Sequence, residues 1–132
     1  MFASAQFLAW LRYDMPHIQI KEARDIDPLN IQVEREFFGF AYGHTLSDTL
    51  DIRCLEPQPK SVWELKTPDL RLFGWFPAKD YFVVHAAKEK EGLTWRDYGP
   101  FVQEVDRFRL SLAQWMPNYV TGGLWNVVSN RA

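Results

Sequence analysis

The chain has 132 residues, 47% apolar and 24% charged, a composition that fits one domain, residues 1–132, and excludes a disordered or low-complexity protein. Its 15 Lys and Arg against 17 Asp and Glu give a net charge of -2, which excludes binding of a polyanion through the overall field. The balance is uneven, with 5 basic and 9 acidic groups in residues 1–59 and 10 and 8 in residues 60–132, so any attraction to phosphate must come from a local patch in the second half.

Cys54 is the single cysteine, so neither an internal disulfide nor a cysteine metal cluster can form. The 10 Phe, 6 Trp and 5 Tyr predict a core rich in rings, with some rings left on the surface as contact points. Phe7 to Leu11 is too short to span a bilayer and lacks the basic region that precedes a secretory signal. No membrane anchor is expected, and cytoplasmic residence is the default.

In chain order, Phe7, Trp10 and Leu11 have helical spacing in a segment from about Ser4 to Met15, with Ser4 as cap and Pro16 as stop. His17 to Arg24 fits either a strand or a helix start. Asp27-Pro28 opens a helix whose stripe is Ile31, Phe38 and Tyr42, interrupted by Glu34 and ended by Gly43. His44 to Asp51 reads as a loop or short helix, and Glu56-Pro57-Gln58-Pro59-Lys60 as a stiff connector.

Three strands follow, Ser61 to Lys66, Leu70 to Phe76 and Tyr81 to Lys88, with turns short enough to make them antiparallel. After Glu91-Gly92, Gly99-Pro100 introduces a helix with Phe101, Val105, Phe108, Leu112 and Trp115 on one seam, ended by Pro117. Leu124 to Val128 reads as a last short strand. The fold class is α+β: a small antiparallel sheet packed against N-terminal helices and a C-terminal helix.

No Gly-rich phosphate loop, nucleophile elbow or paired-histidine helix motif occurs, and His44 with Asp48 is too little for a metal, so no metal or cofactor is expected. The strand segment carries the chemistry. Cleavage of RNA without a metal needs a base for the ribose 2′-hydroxyl, a cation for the charge on phosphorus-bound oxygens and an acid for the departing 5′ oxygen. Arg71 suits the phosphate, His85 titrates near neutrality, and Lys88 or Lys90 can hold phosphate or serve as base where neighbouring cations lower its pKa. With a four-residue loop, Phe76 pairs with Tyr81 and Leu72 with His85. Arg71 and Lys88 then share a face from which His85 is excluded, unless a slip or bulge reverses it.

Trp63-Glu64-Leu65-Lys66, Arg71-Leu72-Phe73, Val83-Val84-His85 and Lys88-Glu89-Lys90, followed by the helix near Pro100, resemble in order the central sheet of the RelE/HigB toxin superfamily, in its phage-type HigB-like branch, over about Val62 to Leu112. The resemblance implies a RelE-like fold and an endoribonuclease that cleaves messenger RNA, commonly in the ribosome, and is neutralised by a cognate antitoxin. Arg71, Lys88 and His85 are its catalytic positions, and Lys66, Trp75, Tyr81, Lys90 and Arg96 are candidates for RNA contact. The alternatives are a non-catalytic phage or mobile-element protein that occludes a host protein, and an assembly subunit whose acidic half meets a basic partner.

Overall fold

A computed structural model describes residues 1–20, 26–41, 43, 45–47 and 50–131. The fold is α+β. A five-stranded sheet has the order β1-β5-β4-β3-β2, built from Phe2–Ala3, Ile52–Cys54, Trp63–Lys66, Leu70–Ala78 and Tyr81–Glu89 as β1 to β5. β3, β4 and β5 are antiparallel neighbours as expected, β2 adds to β3 in antiparallel, and β1 pairs with β5 in parallel and makes the sheet mixed at that edge. Neither β1 nor β2 is apparent in the sequence, because two or three residues are too few to display an alternation. No helix among the described residues is long and apolar enough to cross a membrane.

Helices cover both faces of the sheet. Helix α1, Ala5–Ala9, continues into a wide helical turn at Trp10–Asp14 and a tight one at Met15–His17, and Ser4 caps it by accepting from the Phe7 amide at 3.1 Å. Helix α2, Leu29–Ala41, turns Leu29, Val33, Phe37 and Phe40 toward the sheet, against Phe7, Leu65, Leu72, Phe76, Phe82 and Val84. The stripe expected from Ile31, Phe38 and Tyr42 is therefore rotated, and Phe38 lies on the exposed side. Tyr42, like His44, Asp48 and residues 21–25, is outside the described residues.

Helix α3, Tyr98–Ser111, covers the opposite face, where Val102 and Val105 with Phe101, Phe108 and Leu112 pack on Phe73, Trp75, Val83 and Ala86. Its seam is the one the spacing predicts except at Trp115, which lies beyond the helix and is 73% exposed. The end of α3 is held by Arg109, which is buried, donates to the carbonyls of Lys60 and Ser61, and pairs with Asp106 at 2.9 Å. Leu124–Val127 forms a helical turn, α4, rather than the expected strand. Its inward Leu124 and Val127 close the first core, a three-residue spacing that suits a helix and defeats a strand.

The hairpin of β4 and β5 departs from the expected register for a local reason. Pro77 and Ala78 belong to β4, so the turn is Lys79 and Asp80 alone, with Asp80 at φ 66°, a conformation Asp tolerates. Pairing shifts accordingly: Arg71 faces Lys88, Leu72 faces Ala87, Phe73 faces Ala86, and Gly74 faces Val84. His85 is left as the extra residue of a bulge, and a second irregularity absorbs Pro77, which has no N–H to offer a ladder.

Candidate functional site

The same register aligns three cations. Lys66 on β3 is directly opposite Arg71 on β4, which is directly opposite Lys88 on β5. Opposed residues on adjacent strands stand about 4.5–5.5 Å apart at Cβ, where like charges repel. All three are partly buried on the face that α3 covers further along the strands. Arg71 Nη1 donates to the carbonyls of Thr67 at 2.8 Å and Leu70 at 2.9 Å, which fixes the guanidinium close to its own strand.

The turn that supplies those carbonyls is itself anchored. Buried Gln32 of α2 accepts from Thr67 Oγ1 at 2.7 Å and from the Asp69 amide at 3.0 Å, and donates to Asp69 Oδ2 at 2.8 Å. A polar residue inside the core thus ties α2 to the loop that positions Arg71, with its amide satisfied on both sides.

One row along the same face, Arg53 is opposite Glu64 and Glu64 is opposite Phe73. Glu64 is fully buried, and its oxygens lack a well-aligned hydrogen-bond donor among the described residues. Its charge is met by Arg53 Nη2, 3.2 Å from Oε1, and by the phenol of Tyr98. Burial raises the Tyr98 pKa, and the nearby Glu64 carboxylate raises it further. Lys66, between this carboxylate and the cations, has its pKa lowered by burial; Glu64 opposes the shift, while Arg53, Arg71 and Lys90 reinforce it. Burial and the neighbouring cations thus both favour the neutral form of Lys66, the effect the sequence reading looked for at Lys88 or Lys90.

The bulge turns His85 onto the α3 face but beneath the helix rather than into the basic row. Its ring is buried, stacks on Phe108 at 4.1 Å, and places Nδ1 2.9 Å from Ser4 Oγ and Nε2 3.8 Å from Glu104 Oε1. Burial lowers the His85 pKa, against the pull of Glu104. The Ser4–His85–Glu104 line superficially matches a nucleophilic triad, but Ser4 is buried, caps α1, and faces the other ring nitrogen from the one such a base uses. His85 joins α1 to α3 and is removed from the catalytic candidates.

Trp75 is likewise a correction. It is 1% exposed and packs edge-on against Phe108, so no base can stack on it. Tyr81 is exposed and stacks on Phe2 at the hairpin end, the far end of β5 from Lys88. Lys90 is exposed just after β5. Arg96 is exposed with its guanidinium 5.2 Å over the Trp95 ring. Arg53 and Tyr98 are site residues without a sequence signal, since β2 is too short to show an alternation and Tyr98 is marked only by its proximity to Glu64. Among the described residues there is no group of His, Cys, Asp and Glu that would hold a metal ion. The chain matches no family model, no curated protein and no solved structure.

Proposed function

We propose that the protein is a RelE/HigB-like endoribonuclease that cleaves messenger RNA without a metal, acts on the ribosome, and is restrained by a cognate antitoxin. The observation that carries the reading is the directly opposed Lys66–Arg71–Lys88 row. Three adjacent cations repel one another, and a phosphate among them converts that repulsion into attraction.

Lys66 in its neutral form takes the proton of the ribose 2′-hydroxyl as that oxygen bonds to phosphorus. Arg71 binds the non-bridging oxygens, where charge grows in the transition state. Lys88 donates a proton to the 5′ oxygen as its bond to phosphorus breaks. The products are a 2′,3′-cyclic phosphate and a 5′-hydroxyl, and no cofactor enters the balance.

The test is incubation of purified protein with RNA in the presence of a chelator, together with expression in cells. Cyclic-phosphate ends and growth arrest, both abolished by Arg71→Ala or Lys88→Ala, are the expected results. Growth arrest that persists in those variants with intact RNA supports the occlusion of a host protein, a reading that the exposed Trp115 and Trp125 favour. No arrest, with a stable stoichiometric complex, supports an assembly role.

A further inference from the structure

Beside the basic row, a cleft of about 870 Å³ runs along the edge of β2, bordered by Arg53, Trp63, Trp95, Tyr98, Gly122 and Gly123. Trp95 is 79% exposed, although it sits in a turn fixed on both sides: Thr94 and Asp97 close a reciprocal capping box around it. An indole held in water on a rigid turn gains nothing from the core, so its apolar face is available to a ligand.

Both rings at this end of the cleft carry a guanidinium. Arg96 stands 5.2 Å from the Trp95 ring centre, and Arg53 stands 5.1 Å from that of Tyr98. Tyr98 also feels the charge of Arg71, and Asp97 that of Lys88, which places this turn within electrostatic reach of the row. One carboxylate, Glu56, also borders the cleft.

We infer that the cleft is a nucleobase subsite for single-stranded RNA, with Trp95 stacking an unpaired base next to the phosphate held by the Lys66–Arg71–Lys88 row, an inference that rests on the RNA-directed reading of that row. Aromatic faces flanked by cations accept any base and require it to be unstacked, so the substrate class is single-stranded rather than duplex.

The probe is a 2′-O-methyl RNA octamer, which cannot be cleaved, compared by fluorescence anisotropy with the same backbone made abasic and with the octamer annealed to its complement. The intact single strand should bind the full chain about tenfold or more tightly than either control. Trp95→Ala should bring it to the abasic level, and Trp95→Phe should restore much of the difference. Equal binding of intact and abasic strands, or affinity unchanged in Trp95→Ala, overturns the inference. Arg71→Ala separates the two readings. Affinity that falls in Arg71→Ala but not in Trp95→Ala leaves the basic row standing without the base subsite. Base-dependent binding lost in Trp95→Ala, with unmodified RNA left uncut by the wild type, supports the subsite and overturns the nuclease.

Discussion

Arg71 on β4 and Lys88 on β5 are directly opposed, and Lys66 extends the pair into a row across three strands. Like charges so placed cost about 0.2–1 kcal/mol per pair. Lys88→Gln should therefore raise the melting temperature, more at low salt than at high salt, and inorganic phosphate should stabilise the wild type more than the variant. The one phosphate held by the row should contribute about -0.7 to the slope of log affinity for single-stranded RNA against log salt, a contribution that Arg71→Ala should remove.

Gly74 sits against the bulge, where an added Cβ would lie 1.8 Å from the Val83 carbonyl oxygen. Since that obstacle is backbone, it cannot rotate away. Gly74→Ala should destabilise the protein by about 3 kcal/mol or more, read as a lower urea midpoint, and should release Arg71 and Lys88 from opposition.

Gln32 holds the loop from which Arg71 takes its carbonyl partners. Gln32→Leu keeps the volume but removes the buried acceptor that Thr67 Oγ1 and the Asp69 amide share, at a cost of about 1–3 kcal/mol. The expected signature in kinetics is a fall in kcat that exceeds any change in KM, because the guanidinium is misplaced rather than removed.

His85 titrates lower in the folded state than its ordinary value of 6.5, because of burial. The unfolded chain therefore takes up the proton first. The stability due to the neutral ring is complete above that ordinary value and is lost as pH falls through the folded pKa. Denaturation of His85→Asn across this range should lack that acid limb. Ser4→Ala removes both the α1 cap and the partner of the ring, and should cost about 1–2 kcal/mol at neutral pH.

Glu36 behaves in the opposite sense. Burial, and then the charge of Asp51, raise its pKa from 4.5 to about 7. The folded state holds this proton more tightly, so the stability it confers is full below 4.5 and disappears as pH rises through about 7. Glu36→Gln imitates the protonated form and should be about 1–3 kcal/mol more stable than the wild type above neutrality, with no advantage in acid.

Local rules made much of the fold legible. Ser4, the long strands and the α3 seam were each declared by a cap, an alternation or a helical spacing. What they concealed depends on partners far along the chain. The α2 stripe was misplaced because its inward set includes Gln32, a polar residue buried for the sake of Thr67 and Asp69. The hairpin register was misread because Pro77 resembles a turn residue and lies within a strand. Arg71 and Lys88 nevertheless fell together, since shifting the pairing by an even number of residues preserves the face. Trp75 is a stacking candidate by residue type, and His85 a catalytic one by its titration near neutrality and by the resemblance, but both side chains are buried.

Phe2 and Ala3 lie beside Val83 and Val84, and the Ser4 amide donates to the Val84 carbonyl. During synthesis, Phe2 and Ala3 emerge about 80 residues ahead of β5 and must wait for it before they have a strand to join, and α1 must wait with them. The β2–β5 meander can assemble from neighbours in sequence, whereas the N-terminal segment is its last seam to close. A nascent chain arrested before Val84 therefore exposes one flank of the sheet to solvent and to chaperones.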